Sequence, residues 1–373
     1  MKILVLNYEY PPIGGGAAPI CRDLCELFAR RGHEVDVVTM AFGDLPRHET
    51  RNGVAITRSW ALRKKQGTCE THEMVSYVLS ALPGIIKRLR RGGYDIIHGH
   101  FIVPTGLLAM VSTRFARVPY VLTAHGSDVP GHNPDRFTFE HRFLPPLLRG
   151  IMRRAAATTI PSEYLASLVR QQLGDVELHH IPNGIGTERF IPGHKEHRLL
   201  MCGRFLPLKG FQHVLQALEG VKTDYEVHLL GDGPARKELE TLATRVSAPV
   251  TFHGWVSHDS PMLKELFETS SIFCLPSARE NASVALLEAM LAGMAVVTSD
   301  AAGCPETIGN AGVVVPVGDV AELRKTLNRL MNDDEACADL GRKARQRVED
   351  VFDLEKIGDR YLELFEKVIA KSR

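Results

Sequence analysis

Near the middle of the chain, a short apolar run passes into a loop with glycine at both ends, one arginine and one lysine: Leu199-Leu200-Met201-Cys202-Gly203-Arg204-Phe205-Leu206-Pro207-Leu208-Lys209-Gly210. The apolar run has the length and composition of a buried β-strand, and a helical pattern follows the loop. The same order opens the chain, where Ile3–Leu6 precedes a glycine-rich loop and then a helical pattern. A strand–loop–helix unit that begins twice predicts two α/β domains in tandem.

Apolar strands alternate with helical stretches on both sides of this point. In the first half the predicted strands are Ile3–Leu6, Val35–Met40, Ile96–Phe101, Tyr120–Ala124, Thr158–Ile160 and Leu178–Ile181. In the second half they are Leu199–Cys202, Val227–Leu230, Val250–Phe252, Ile272–Leu275, Ala295–Thr298 and Val313–Val315. Continuous apolar strands separated by helices are typical of parallel sheets. We therefore expect two Rossmann-like, doubly wound parallel-sheet domains that face each other across a cleft.

The polar stretch Thr187–Arg198, which contains Pro192 and Gly193, is the best candidate for a domain boundary. We expect an N-terminal domain over residues 1–190 and a C-terminal domain over residues 191–353. Domains of this kind bind ligands outside the carboxyl ends of their strands. The loops that follow the strands are therefore where functional residues are expected.

Composition excludes several classes of protein. The 373 residues carry a formal net charge of +1, which argues against a nucleic-acid-binding protein. No apolar run approaches the ~18 residues of a membrane span, and the apolar N-terminal run is too short for a signal peptide. The seven cysteines are odd in number and irregularly spaced, which argues against a disulfide framework and favours a cytoplasmic protein.

Charged residues follow two predicted strands of the second half. Arg204 and Lys209 lie in the loop after Leu199–Cys202, where an arginine fork and a lysine point charge suit a diphosphate. Glu280 follows Ile272–Leu275, and Glu288 lies on the next predicted helix. One carboxylate could bind sugar hydroxyls and the other ribose hydroxyls, with the helix N-terminus facing the diphosphate. The alternative is that these are ordinary surface charges.

The first half presents glycines and histidines at strand ends. Gly15 and Gly16 lie between the first strand and a helix, where backbone amides can approach a phosphate, although a flexible turn explains them equally well. His125 follows Tyr120–Ala124 and could contact a donor hydroxyl or orient the reacting carbon. His100 is a candidate acceptor contact, as is Asp128, whereas His98 is expected to be a buried histidine with a hydrogen-bond partner.

Taken together, these motifs resemble glycosyltransferase family four, a large family of retaining enzymes with the two-Rossmann B fold. The resemblance covers essentially the whole chain. Its motifs, in chain order, are Tyr10-Pro11-Pro12 with Gly14-Gly15-Gly16, Ala124-His125-Gly126, Ile181-Pro182-Asn183-Gly184, Gly203-Arg204 with Lys209-Gly210, Gly231-Asp232-Gly233-Pro234, and Glu280 with Glu288.

The resemblance implies a role for each matching residue. Arg204 and Lys209 would hold the diphosphate, Glu288 the ribose and Glu280 the donor sugar. His125 would contact the donor near the reacting carbon. The remaining donor contacts would come from Gly15, Gly16, Val256, Asn281, Ala282, Ser283 and Val284. The final helix, roughly Leu354–Ala370 within residues 354–373, would pack back on the first domain. No metal or other cofactor is implied, and the departing phosphate would take the acceptor's proton.

Two departures from the family pattern concern specificity. Asn281-Ala282-Ser283 follows Glu280, where the family often has glycine and an apolar residue, and this loop would touch the donor sugar. Gly186 stands where the family often has aspartate after Asn-Gly-Val, which would alter a hinge or an acceptor contact.

A basic amphipathic pattern between Val78 and Arg91 raises the question of membrane contact. Its apolar face would comprise Val78, Leu82, Ile85, Ile86 and Leu89, and its cationic face Lys87, Arg88, Arg90 and Arg91. Further positive charge comes from Arg149, Arg153 and Arg154. Such a helix can rest on an anionic membrane, which would favour a lipid-linked acceptor, or can bury its apolar face in the core. The polar loop Val129–Arg142 is expected to border the acceptor site.

The resemblance implies a hexosyltransferase that uses a nucleotide sugar, with a UDP-sugar favoured because it is frequent in the family and GDP-mannose as the second choice. The acceptor would be a glycan, a lipid-linked molecule or a small molecule. Other readings are a sugar-nucleotide epimerase or hydrolase on the same fold, a non-catalytic nucleotide-sugar-binding protein, and an NAD-dependent oxidoreductase. The last lacks a dinucleotide glycine fingerprint.

Overall fold

The computed structural model describes residues 1–132 and 144–372, and the chain divides into two compact units. The N-terminal unit comprises Met1–Gly184 together with Leu354–Arg373, and the C-terminal unit comprises Ile185–Asp353. The division after Gly184 falls a few residues before the boundary that the polar stretch suggested after residue 190.

The N-terminal unit contains a sheet of eight strands in the order β3-β4-β2-β1-β5-β6-β7-β8. The strands are β1 Lys2–Leu6, β2 Glu34–Met40, β3 His48–Arg51, β4 Val54–Ser59, β5 Ile96–His100, β6 Tyr120–Thr123, β7 Ala157–Ile160 and β8 His179–His180. All neighbouring strands are parallel except β3 and β4. The described helices before the division are α1 Ala17–Arg30, α2 Thr71–Arg91, α3 Leu107–Ser112, α4 Pro145–Arg154 and α5 Glu163–Leu173.

Strands β3 and β4 were not anticipated from the sequence. Strand β3 is polar and largely exposed, and β4 alternates buried and half-buried residues, so neither resembles a continuous apolar strand. The turn between them holds Asn52 at φ 49° and Gly53 at φ 81°. An Asn-Gly pair with both residues in the left-handed region is the usual connection of a tight hairpin, and it was the available signal.

Strand β1 shows why helices cover both faces of this sheet. Ile3 and Val5 pack in one apolar cluster with residues of α1, whereas Leu4 and Leu6 pack in another with residues of α2. Successive side chains of a strand point to opposite faces, so an uninterrupted apolar strand must be covered twice. The N-terminal sheet is therefore doubly wound.

The C-terminal unit repeats this architecture on a smaller scale. Its six strands lie in the order β11-β10-β9-β12-β13-β14 and all pair in parallel. They are β9 Glu196–Cys202, β10 Glu226–Leu230, β11 Val250–Gly254, β12 Ser270–Leu275, β13 Ala295–Ser299 and β14 Val313–Val315. The helices are α6 Phe211–Leu218, α7 Arg236–Ala243, α8 Pro261–Thr269, α9 Val284–Leu291, α10 Cys304–Ile308, α11 Val320–Met331 and α12 Asp334–Arg347.

The last helix, α13 Leu354–Ser372, belongs to the N-terminal unit although it follows the C-terminal one. Tyr361 and Phe365 of α13 share an apolar cluster with Phe28 of α1. On the same helix pair, Arg31 forms ion pairs with Glu355, at 2.6 Å, and with Asp359. Helix α13 therefore completes the apolar core that α1 forms in the N-terminal unit.

Helix α2 has the amphipathic pattern expected for it. Ile85 and Leu89 of the anticipated apolar face are buried in the core of the N-terminal unit. Val78, Leu82 and Ile86 are half-buried beside them. The buried part of this apolar face therefore belongs to the domain core. Within residues 1–132 and 144–372, every helix is too short or too polar to cross a bilayer.

Candidate active site

In the C-terminal unit, Lys209 and Glu280 form a direct ion pair between two neighbouring strand-end loops. Lys209 ends the single helical turn Pro207–Lys209 after β9, and Glu280 lies in the loop after β12. Their side chains are 20% and 12% exposed. A partly buried pair of this kind holds both side chains in position and leaves them partly accessible to solvent.

Close backbone approaches at two glycines fix the position of these loops. Gly210 has φ 76°, and a Cβ atom there would lie 2.3 Å from the carbonyl oxygen of Pro276. A Cβ at Gly303 would lie 1.6 Å from the carbonyl oxygen of Asn281, and the Gly303 amide donates to the Glu280 carbonyl at 2.8 Å. Any side chain at either glycine would push the Lys209 or Glu280 backbone away.

Arg204 is exposed and forms no ion pair or hydrogen bond through its side chain in the described part of the chain. It lies two residues beyond Cys202, the last residue of β9. The next residue anchors the loop, since the Phe205 amide donates to the Asp232 carbonyl in the loop after β10 at 2.9 Å. The backbone is therefore fixed while the guanidinium stays available to an anion.

Glu288 lies on α9 with its side chain only 3% exposed. One carboxylate oxygen is 2.9 Å from Nη2 of Arg189 and 3.7 Å from Nδ1 of His258. The same Arg189 nitrogen is 3.3 Å from His258 Nδ1. The expected ribose ligand is thus held in a cationic environment that sequence reasoning did not find, because Arg189 lies in the stretch interpreted as a domain boundary.

The effect on Cys202 shows that Lys209 and Glu288 lie near the same strand end. The pKa of this thiol is raised to about 12, mainly by burial and further by the negative charge of Glu288, while the positive charge of Lys209 lowers it. Burial raises the pKa of the Cys304 thiol, Glu280 raises it further and Lys209 lowers it, so both charges lie near this residue as well. The carboxyl ends of β9 and β12 therefore collect Lys209, Glu280 and Glu288 in one region.

The remaining donor candidates of this unit lie around the same loops. Asn281 and Ser283 are buried, and Ala282 and Val284 are half-buried where α9 begins. Val256 is half-buried after β11 and packs on the core of the unit. The preceding Trp255 is 64% exposed and was not singled out as a ligand. Donor contacts by these residues stay predictions.

In the N-terminal unit, His125 and His100 stack on each other at the ends of β6 and β5. Their ring centroids are 5.2 Å apart with planes at 15°, and His125 Nε2 is 3.0 Å from His100 Nδ1. Burial, reinforced by His100, holds the pKa of His125 well below 6.5. His125 is therefore neutral near pH 7, which suits a hydrogen bond to a sugar hydroxyl better than proton donation.

A buried polar network supports this histidine pair. Nε2 of His98 is 2.8 Å from Oγ1 of Thr123, so His98 is a buried histidine with a partner, as the sequence predicted. The hydroxyl of Tyr361 on α13 lies 3.2 Å from Oγ1 of both Thr123 and Thr159. A cavity of about 10 Å³ beside the network is lined by His100, His125, Asn183 and Tyr361 among others. The role of Tyr361 left no signal in the sequence.

Asp128 and Gly15 have partners within their own unit. Asp128 is buried and accepts hydrogen bonds from the amides of His125 at 3.0 Å, Gly126 at 2.9 Å and Ile102 at 2.7 Å. These bonds account for its burial, and its expected contact with an acceptor is still a prediction. The Gly15 amide donates to Oε2 of Glu9 at 3.3 Å, so a phosphate at this amide would have to displace a carboxylate. Gly16 is the residue before α1.

Two expectations concern other parts of the chain. The polar loop Val129–Arg142 lies outside the described residues from position 133 onward. Among residues 1–132 and 144–372, no group of three or more His, Cys, Asp or Glu side chains is arranged to hold a metal ion.

Comparison with known proteins agrees with this architecture. Residues 14–189 match the model of Glycosyltransferase Family 4, and residues 186–347 match the model of Glycosyl transferases group 1. The MMP alpha-(1->4)-mannosyltransferase of Mycolicibacterium hassiacum is 28% identical, over 100% of this chain and 99% of the relative.

Solved structures show the same fold. Sucrose-phosphate synthase from Thermosynechococcus elongatus superposes with a TM-score of 0.84 at 20% identity, over 100% of both chains. Anabaena HepE, solved in complex with UDP-glucose, gives 0.77 at 19% identity, over 98% of this chain and 100% of HepE. Two parallel-sheet α/β domains of this kind have the B fold of glycosyltransferases. The chain belongs to glycosyltransferase family four, since the two family models together cover both of its units.

Proposed function

We propose that this glycosyltransferase moves a hexose from a nucleoside diphosphate sugar to an acceptor, with retention at the reacting carbon and without a metal. The observation that carries the proposal is the Lys209–Glu280 ion pair, flanked on the same strand end by the exposed guanidinium of Arg204. A sugar diphosphate offers phosphate oxygens to the cations and hydroxyl groups to the carboxylate. It can therefore satisfy both members of the pair when it enters.

Each charged residue has a distinct part in this proposal. Arg204 and Lys209 bind the diphosphate and stabilise the negative charge that grows on it as the bond to the sugar breaks. Glu280 accepts hydrogen bonds from sugar hydroxyls, and Glu288, held by Arg189, accepts them from the ribose. The neutral His125 donates or accepts one hydrogen bond at the sugar.

The chemical step needs no protein base. The acceptor hydroxyl attacks the anomeric carbon on the face from which the diphosphate leaves, so the new bond keeps the original configuration. The proton of that hydroxyl passes to the departing phosphate oxygen, which becomes more basic as its bond to carbon breaks. The products are the glycosylated acceptor and a nucleoside diphosphate.

For the donor, a UDP-sugar is favoured by the likeness to HepE, whose structure contains UDP-glucose. GDP-mannose is the second choice, since a mannosyltransferase is among the relatives. The acceptor is proposed to be a glycan, a lipid-linked molecule or a small molecule. The proposal includes peripheral contact of the N-terminal unit with an anionic membrane, which would bring a lipid-linked acceptor within reach.

The test is release of nucleoside diphosphate from UDP-glucose, UDP-N-acetylglucosamine and GDP-mannose, with and without a panel of sugar and lipid acceptors. We expect release that depends on the acceptor, a product with the donor's anomeric configuration, and no change when EDTA is added. Rapid conversion of donor alone would instead indicate an epimerase or hydrolase. Binding without any turnover would indicate a non-catalytic nucleotide-sugar-binding protein, and complete loss of activity in EDTA would indicate a metal-dependent step.

A further inference from the structure

The outward side of α2 presents large apolar side chains that the core does not use. Val75 is 53% exposed and Leu79, one helical turn further, is 70% exposed. With 3.6 residues per turn, they lie on the side of Leu82 and Ile86, the half-buried edge of the apolar face that the sequence pattern suggested. The apolar face of α2 is therefore wider than the part that the unit itself covers.

The segment after β4 extends this apolar surface. The Ser80 hydroxyl of α2 donates to the carbonyl of Trp60, and the Leu62 amide donates to the Ser76 hydroxyl at 3.0 Å. These bonds hold Trp60 and Leu62 against α2, while their side chains are about half exposed. Tryptophan is the residue most typical of the boundary between water and lipid.

The C-terminal half of α2 continues the same surface with positive charge. A shallow depression of about 490 Å³ is lined by Leu82, Pro83, Ile86, Lys87, Arg90 and Arg91. The Arg90 guanidinium lies 5.4 Å from the ring centroid of Phe115, which is itself exposed between Arg114 and Arg117. Residues 74–94 contain four Lys or Arg and residues 96–119 contain two, and neither segment contains Asp or Glu.

We propose that this surface docks on an anionic phospholipid bilayer. Its core, called here the α2 face, consists of Trp60, Leu62, Leu79, Lys87, Arg90 and Arg91. Exposed Trp and Leu side chains can enter the headgroup region, while the adjacent cations meet the negative lipid headgroups. A protein partner is less favoured, because the cores of protein interfaces are depleted in charged residues, whereas residues 74–94 carry four cations without an acidic residue.

The docking surface would place the proposed transfer at a membrane. Only this role rests on the proposed function. If the acceptor is lipid-linked, binding through the α2 face keeps the N-terminal unit at the plane where acceptors are concentrated. The lipid contact itself needs neither donor nor acceptor and can be measured without turnover.

The experiment is co-sedimentation with vesicles of phosphatidylglycerol and, separately, of phosphatidylcholine, at low and high salt. We expect the protein to bind phosphatidylglycerol vesicles, to bind phosphatidylcholine vesicles at least tenfold more weakly, and to be released by salt. Two variants test the surface: Trp60→Ser with Leu79→Ser removes apolar groups, and Lys87→Gln with Arg90→Gln and Arg91→Gln removes charge. Each should lower the partition coefficient at least tenfold.

Matched controls lie on the C-terminal unit. Met262→Ser removes an exposed apolar side chain, and Lys222→Gln with Lys237→Gln and Arg245→Gln removes three exposed cations. The controls should bind like the wild type, and all variants should keep their thermal midpoint and their transfer to a water-soluble acceptor. The charge variant stands alone as a test if the apolar variant fails to fold.

Absence of wild-type binding to phosphatidylglycerol would overturn the lipid proposal, as would equal losses in the α2-face variants and the controls. Normal transfer alongside such a result would leave the proposed function intact. Conversely, lipid binding without any transfer from nucleotide sugars would contradict the proposed function and leave the docking surface standing.

Discussion

The two units accommodate their polar candidate residues in opposite ways. In the N-terminal unit, His98, His100 and His125 lie in a packed network of hydroxyls and rings, and burial keeps His98 and His125 neutral. In the C-terminal unit, Lys209 with Glu280 and Arg189 with Glu288 are charged and stand in ion pairs.

This difference indicates how each unit contributes to binding. A neutral, internally bonded histidine can offer one hydrogen bond without losing much of its own support. In a charged pair that is partly exposed, a phosphate can replace the carboxylate as partner of the cation, and a sugar hydroxyl can replace the cation as partner of the carboxylate. We therefore expect substitutions in the C-terminal unit to affect ligand binding most, and substitutions in the N-terminal network to affect its stability as well.

The largest effect is expected from the two cations of the C-terminal unit. Arg204→Ala or Lys209→Ala should lower kcat/KM for transfer by about 100- to 1000-fold, the usual effect of removing one stabiliser of developing negative charge. The free energy of unfolding should change little for Arg204→Ala because that side chain is exposed. Lys237→Ala, which removes an exposed cation of α7, is the control and should leave kcat/KM unchanged. Wild-type turnover in both variants would contradict the assignment of Arg204 and Lys209 as phosphate ligands.

A second test separates the buried ion pair from an ordinary surface pair. Arg189→Ala should lower the free energy of unfolding by about 3 kcal/mol, since it leaves the carboxylate of Glu288 buried without its cation. Adding Glu288→Gln should recover part of that loss. Arg236→Ala, which breaks a 2.8 Å pair with Glu240 on the exposed side of α7, should cost less than about 1 kcal/mol. Urea unfolding of the three variants makes the comparison, and equal losses would contradict it.

Much of the fold could be predicted because buried parallel strands are continuously apolar. The strand at Val313–Val315 was predicted with the bounds that the structure gives, and Glu288 lies on a helix as predicted. The hairpin of β3 and β4 could not be predicted in this way, since β3 is exposed and β4 alternates. Only the turn at Asn52 and Gly53 indicated it.

The residues of the candidate site could be predicted from the sequence, but the contacts between them could not. Lys209 and Glu280 were singled out because each follows an apolar strand. Their direct contact depends on the close backbone approaches at Gly210 and Gly303, which involve residues far apart in sequence. Tyr361 joins the histidine network from the last helix, and no local pattern relates it to Thr123.

The third test uses the pH dependence of stability. Burial lowers the pKa of His98 well below 6.5, so below pH 6.5 the unfolded chain binds a proton that the folded unit does not. The free energy of unfolding should therefore fall as the pH decreases below 6.5, by up to about 1.4 kcal/mol per pH unit for this residue. His98→Asn should flatten the profile in urea titrations between pH 5 and 7. An unchanged slope would show that His98 does not stay neutral in the fold.

The smallest expected effect has the opposite sign and lies in the C-terminal unit. Hydrogen bonds to Asp224 and Asp334 raise the pKa of His197 above 6.5, with burial opposing them. Its stabilising contribution is therefore complete below pH 6.5 and disappears as the pH rises through the folded value. His197→Gln should lower the thermal midpoint slightly at pH 6 and not at pH 9. A loss of equal size at both pH values would contradict the charge-based explanation.

The most direct test of diphosphate binding by Arg204 and Lys209 is calorimetric titration with UDP and with GDP in the presence of EDTA. It compares the wild type with the Arg204→Ala, Lys209→Ala double variant. Two lost charge-assisted hydrogen bonds at ~1.5 kcal/mol each predict that the better-bound nucleotide will bind at least about 100-fold more weakly to the double variant. Equal affinity of both proteins for that nucleotide would contradict the account.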